Sequence, residues 1–297
     1  MTSVAVCQGL ILAGTTEGIM RSVDGGQTWS EANNGLESRH VRSLACTPEG
    51  GAFILAGTEP AGIFVSRDRA DTWFVYPEVA DLRDTHGWYL PYSPEAGCVR
   101  GFAVAGSGSH QARIFAAVEV GGVLVSKNSG EKWQLVKGSD GNPAINRPFE
   151  KTIHPDVHSI TVHPSSPDLV IASTGGGLYR SLDGGKTWSC LYPCYCRAAW
   201  VDPAGPEHII FGPADGISRN GRIEESRDEG QTWHPALTGM EALWPRHMVE
   251  RFVQVGDELM AVLSNGELWS MQLEMIGWHR LLPSIDHVTG VASTTVT

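Results

Sequence analysis

The chain has 297 residues, 41% of them hydrophobic, with 35 Gly, 10 Trp and a formal net charge of −11. This acidic balance argues against nucleic acid or an anionic membrane surface as partner, since both favour a basic face. No apolar stretch approaches the ~20 residues of a membrane span, and residues 1–7 lack the cationic start and cleavage pattern of a secretory signal, so a cytoplasmic protein is expected.

Residues 4–14 read as a strand and lead into Gly18, Ser22, Asp24, Gly26, Thr28 and Trp29, spaced Gly-x3-Ser-x-Asp-x-Gly-x-Thr-Trp. Short runs at 40–44 and 52–56 precede a second copy, Gly62, Ser66, Asp68, Ala70, Thr72 and Trp73, whose turn should be less regular because Ala70 replaces Gly. An insertion at 78–97 and a run at 98–102 lead to a third copy at Gly122, Ser126, Asn128, Gly130, Lys132 and Trp133. A second insertion at 138–155 and runs at 156–160 and 169–172 precede the fourth copy, Gly177, Ser181, Asp183, Gly185, Thr187 and Trp188. A run at 195–199 and an insertion at 213–221 precede the fifth, Ser226, Asp228, Gly230, Thr232 and Trp233. A further insertion at 239–247, a run at 248–252 and a worn copy at Gly266, Ser270 and Trp278 follow, and a last run occupies 287–291.

The motif reads as a hairpin turn. Its Asp or Asn accepts hydrogen bonds from turn N–H groups, Gly supplies a positive φ, and Trp opens the next strand with a large apolar face. Recurrence in every unit makes these Asp residues structural rather than catalytic. The copies resemble the Asp-box, or BNR, repeat of sialidases and related propellers. The expected fold is all-β, a six-bladed β-propeller of four-stranded antiparallel blades forming one domain over 1–297. In that arrangement the C-terminal strand from His287 joins the N-terminal strands beginning at Val4 and closes the ring. Seven blades would require further strands within 78–97 or 138–155.

Six inner strands then align. Their third residues are Arg42, Arg100, His158, Arg197, Glu250 and Thr289, none apolar; two residues deeper stand Leu44, Phe102, Ile160, Ala199, Phe252 and Val291. Strand periodicity predicts a charged mouth over an apolar plug, rimmed by His40, Cys98, Asp156, Tyr195, Met248 and His287. The insertions add His86, Trp88, Tyr89, Tyr92, Asn146, Arg147, Lys151, His154, Trp244, Arg246 and His247.

Three guanidinium groups beside a single ring carboxylate suit a planar anion, which their forked donors bind in bidentate fashion. The expected function is a hydrolase or lyase acting on a small carboxylate-bearing substrate. Arg42, Arg100 and Arg197 would hold it, with His40, His287, Trp88 and Tyr89 around them, and His158 or Glu250 would be the general base. The sialidase resemblance implies an arginine triad, a Tyr nucleophile and an assisting Glu, which Arg42, Arg100, Arg197, Tyr195 and Glu250 would supply. The Arg-Ile-Pro start of sialidases has no counterpart here, so sialidase activity itself is the minor reading. No cofactor is needed. An alternative is a lactonase-like hydrolase using a divalent metal on His40, His158, His287, Asp156 and Glu250. Another is a noncatalytic binding or assembly propeller. The six Cys are too few for a disulfide framework at this length, which predicts reduced thiols. Cys190, Cys194 and Cys196 then read as buried thiols and Cys98 as a weak nucleophile.

Overall fold

The computed structural model describes residues 1–47, 53–89, 97–105, 112–144, 150–240, 244–273, 277–285 and 287–293. Each Asp-box closes on itself. Ser22 Oγ donates to Asp24 Oδ1 (2.8 Å) and accepts from Gly26 N–H (2.8 Å); Asp24 accepts from the N–H (2.9 Å) and hydroxyl (2.6 Å) of Thr28. The same contacts hold Asp68, Asn128, Asp183 and Asp228, with Lys132 N–H alone serving at Asn128. Ala70, at φ 66°, makes the common turn with its N–H on Ser66 Oγ at 2.9 Å. The irregularity expected there is absent, because the surrounding hydrogen bonds hold an alanine in a left-handed conformation that costs roughly 1–2 kcal/mol.

Six four-stranded antiparallel sheets result, each in sequence order from the inner strand outward. The first comprises β1 (Ser3–Cys7), β2 (Leu10–Thr15), β3 (Gly18–Ser22) and β4 (Ser30–Glu31). The second comprises β5 (His40–Cys46), β6 (Ile54–Glu59), β7 (Gly62–Ser66) and β8 (Phe74–Val75). A helix, α1 (Pro77–His86), then leads to β9 (Val99–Ala105), β10 (Arg113–Val118), β11 (Gly122–Ser126) and β12 (Gln134–Leu135). The fourth is β13 (Val157–His163), β14 (Ser166–Thr174), β15 (Gly177–Ser181) and β16 (Ser189–Tyr192). The fifth is β17 (Tyr195–Val201), β18 (Ile209–Ala214), β19 (Glu224–Ser226) and β20 (His234–Pro235). The sixth is β21 (Val249–Val255), β22 (Glu258–Leu263), β23 (Leu268–Gln272) and β24 (His279–Leu281). The fold is a six-bladed β-propeller.

Closure differs from expectation. Residues 4–14 are not one strand: left-handed Gln8 and Gly9 (φ 46° and 80°) turn them into the β1–β2 hairpin, so the first blade is complete without the C-terminus. Residues 287–293 form no strand. Their Val288 N–H reaches Gly266 O (3.0 Å), and they lie between the last blade and the first.

A blade buries its faces only against its neighbours. The box Trp enters the preceding blade: Trp73 donates Nε1–H to Ala32 O and N–H to Asn34 O, and Trp278 repeats this with Ala236 O and Thr238 O, all at 2.7–2.8 Å. A Cβ at Gly35 or Gly239 would lie 2.2 Å from the Trp73 or Trp278 carbonyl, so only glycine admits that approach. Burying one such ring contributes about 4–6 kcal/mol of transfer free energy. Five apolar clusters bridge successive blades from the first to the sixth, and among the described residues none bridges the sixth to the first. Consistently, Trp29, whose partner would be the sixth blade, is 42% exposed while Trp73 is 2% exposed. That junction is a seam.

Cys7 and Cys46, on adjacent inner strands with Cα atoms 5.9 Å apart, form a disulfide, which corrects the expectation of reduced thiols throughout. Their separation of 39 residues matches no motif, and only blade packing brings them together.

Two outcomes follow. Thiol titration of the unfolded chain should count four thiols without reductant and six with it, and Cys46→Ala should lower stability by about 2–4 kcal/mol. Secondly, hydrogen bonds from Thr28 and Thr232 hold Asp24 and Asp228 at about 2, below the ordinary 3.8. At Asp68 and Asp183 slight burial pushes upward, but the Thr72 and Thr187 bonds outweigh it and the pKa values fall. Depressed folded-state values mean stability that is present above the unfolded pKa and lost as pH falls through the folded one. The melting temperature should therefore drop between about pH 4 and about pH 2. Asp→Asn at all four positions, copying Asn128, should flatten that drop.

Candidate functional site at the axial mouth

The inner-strand residues singled out by alignment share a backbone feature. In β5 the register passes from Val41↔Thr58 to Ser43↔Gly57, leaving Arg42 unpaired. Arg100, His158 and Glu250 are skipped in the same way in β9, β13 and β21, and Arg197 with Ala198 in β17. Five of the six aligned mouth residues thus sit on a β-bulge, which re-aims a side chain out of the regular alternation; the sixth, Thr289, lies in no strand. Because of the bulge, neighbouring Glu250 and Arg251 both face the mouth.

Two cavities open there, sharing Arg100, Glu250 and Arg251. One, of about 250 Å³, follows the axis past His158 and Arg197 to Phe102, Ile160, Ala199, Phe252 and Val291. The other, of about 300 Å³, lies at the seam and adds Arg42, Thr2, Ser264, His287 and Thr289. Leu44, expected with the plug, packs against the core between the first two blades.

Charge at the mouth is more balanced than the sequence suggested. Arg42 Nε lies 3.6 Å from Glu59, Arg100 Nη1 3.1 Å from Glu119 Oε2, and Arg197 Nη1 2.5 Å from Glu250. Glu59 ends the second strand of its blade, and Glu119 directly follows the second strand of its own. Sequence reasoning missed them, although each stands at the same point of the repeat, just before the Gly-initiated third strand. Burial pushes the Glu119 carboxyl up, but the Arg100 guanidinium outweighs it and, with the Cys98 thiol bond, holds it at about 2. Arg251, also missed, differs: among the described residues it makes no ion pair, and its Nη2 donates to Thr2 O at 3.0 Å. Burial depresses its pKa, with the guanidiniums of Arg100 and Arg42 adding to the effect against the opposing charge of Glu250.

The expected catalytic groups are dispersed. His158 is buried, its Nδ1 2.8 Å from Cys196 O and its ring 5.0 Å from that of Tyr195. Tyr195 accepts from Arg197 Nε at 3.0 Å, so Arg197 stands between it and Glu250. Burial raises the Tyr195 pKa, which disfavours the phenolate a nucleophile needs. His40 lies 3.6 Å from Glu59, and His287 lines the seam cavity; neither joins His158 and Asp156, so the five-residue metal set does not converge. Trp88 is not a ligand contact: it is fully buried between the second and third blades with Nε1–H on Gly141 O. Tyr89 lines neither mouth cavity and is 61% exposed beyond α1. Trp244 is likewise core. Cys98 is buried with its thiol on Glu119, and burial followed by that carboxylate pushes its pKa up, which removes it as a nucleophile. Of the thiol trio, Cys196 is buried, Cys194 half-buried and Cys190 exposed. Tyr92, Asn146 and Arg147 lie outside the described residues.

A family model described as the BNR/Asp-box repeat matches residues 179–189. An ancestral GH74 enzyme superposes with a TM-score of 0.68 at 18% identity, over 91% of this chain and 36% of that one. This chain is a six-bladed β-propeller that carries a BNR/Asp-box repeat. The propeller spans about a third of the GH74 enzyme's length. It also superposes on YCF48 bound to D1 peptide (TM-score 0.56, 15% identity, 91% of this chain and 76% of that one). A chain of the mitotic checkpoint complex matches with a TM-score of 0.62 at 10% identity, over 98% and 80%. At these identities the likeness is one of fold, shared by a GH74 enzyme, a peptide-bound protein and a chain of a larger complex. No curated protein matches the sequence.

The Arg100–Glu119 pair is nearly enclosed, with side chains 16% and 6% exposed. Glu119→Ala should therefore cost about 3–5 kcal/mol by stranding a buried guanidinium, and adding Arg100→Met should recover much of it. Denaturant melts of the single and double variants check this.

Proposed function

We propose that the propeller binds a small anionic molecule, carboxylate-bearing or phosphate-bearing, in the seam cavity, with Arg251 as anchor and Arg42 and Arg100 beside it. The observation that carries this reading is Arg251: a guanidinium facing the cavity with no ion pair among the described residues, pressed by two like charges. An anion there relieves the repulsion and meets a forked donor suited to planar oxyanions. The cavity's 300 Å³ stands at the lower end of the ~300–1,000 Å³ range of ligand pockets, which favours a small molecule over a polymer segment.

A catalytic extension rests on Glu250, which lines both cavities beside Arg251. Its carboxylate is the group placed to take a proton from a bound molecule, which would make the protein a hydrolase or lyase. His158 and Tyr195 have no such role, being buried or turned onto Arg197.

Acetate, citrate, phosphate and sialic acid serve as probes in thermal-shift titrations. At least one should raise the melting temperature at low salt, and less so at high salt. Arg251→Met should abolish the shift while raising the ligand-free melting temperature, because it removes a half-buried guanidinium repelled by two like charges. Equal shifts in both proteins would overturn the proposal. Glu250→Gln should keep the shift and lose any turnover.

A further inference from the structure

Between the third and fourth blades, Glu119, Asp156 and His158 each present a donor atom, all within 4.8 Å of one another. Glu119 comes from the turn after β10, Asp156 from the residue just before β13, and His158 from the bulge inside β13. The His158 side chain is 1% exposed. Its Nδ1 lies 2.8 Å from Cys196 O, a carbonyl that can only accept, so Nδ1 carries a proton. Nε2 is left pointing at Asp156 Oδ1 from 3.2 Å, yet among the described residues neither of these buried atoms has a hydrogen-bond partner of acceptable geometry. In the neutral tautomer two lone pairs face each other in a buried place, which is unfavourable unless a positive charge lies between them. An imidazole whose other nitrogen is tied to a carbonyl is the usual state of a metal-bound histidine. Space is provided as well: a Cβ at Gly175 would lie 2.3 Å from Asp156 Oδ2, so glycine lets the carboxylate sit there.

The geometry points to a divalent-cation site formed by Glu119, Asp156 and His158, which staples the third blade to the fourth beside the axial mouth. One imidazole nitrogen and two carboxylate oxygens suit zinc or manganese rather than a soft ion. Two carboxylates offset the ion's charge, and the nearby Arg100 already has Glu119 as partner. The competing occupant is a proton, giving a His158 imidazolium paired with Asp156. The site touches the anion cavity through Arg100, the partner of Glu119, but uses neither Arg251 nor a bound anion.

The test is chelator treatment of the whole protein, then equilibrium dialysis against zinc or manganese chloride with elemental analysis, beside a thermal melt. One ion per chain and a higher melting temperature are expected. Asp156→Asn, whose side chain is 26% exposed in the parent and which should fold, must lose the ion, as must His158→Gln. Cys190→Ser combined with Cys194→Ser must keep it. Cobalt should give a visible spectrum without a thiolate charge-transfer band. Absence of uptake, uptake unchanged in folded Asp156→Asn, or a thiolate band would each overturn the inference. So would nitrogen NMR showing His158 doubly protonated near neutral pH with zinc present.

Discussion

The insertion of each Asp-box tryptophan into the blade before it is the interaction on which the rest of this propeller depends. A four-stranded twisted sheet cannot bury either face alone, and the Trp ring, positioned by the hydrogen-bonded turn that precedes it, supplies the largest apolar contact across each junction. The turns repeat because the junctions repeat. Where the partner is missing, as for Trp29 at the seam, the same residue is left exposed, and the ring is joined there by Arg251, Thr2 and the C-terminal segment instead. A weaker apolar junction leaves room for a cavity, which explains why the charged mouth extends to that side.

The inner strands carry a second constraint. Five of them bulge at corresponding points. A bulge leaves one residue out of the ladder, so a polar side chain can face the axis while the residues around it keep pairing and packing. This reconciles an apolar wall with a mouth of arginine, histidine and carboxylate. It also explains the near-neutral balance: buried guanidiniums at bulges need counter-charges within reach, and Glu59 and Glu119 supply them from the adjacent strand end. Against that background, Arg251, which makes no ion pair among the described residues, and the close His158–Asp156 contact stand out.

How far the sequence could be read depended on the range of the interactions. The box contacts span two to four residues, so Ser22, Asp24, Gly26 and Thr28 announce their turn directly. Alignment of Arg42, Arg100, His158, Arg197 and Glu250 was legible because equivalent blades place equivalent residues alike. The surroundings of those residues were not. Trp88 looks like a loop aromatic in sequence and proves to be core, because α1 folds back over the junction. Arg251 looks outward by strict alternation and faces the cavity because of a one-residue bulge.

The sequence by itself determined the repeat, the six blades and the aligned mouth positions Arg42, Arg100, His158, Arg197 and Glu250, since these rest on local hydrogen bonds and periodicity. Tertiary structure alone decided which charges meet. The Arg100–Glu119 and Arg197–Glu250 pairs, the Cys7–Cys46 bond and the Glu119–Asp156–His158 cluster join residues from different strands, most of them across blades. The physical reason is that blade packing, rather than spacing along the chain, sets the distances over which those groups attract, repel or bond.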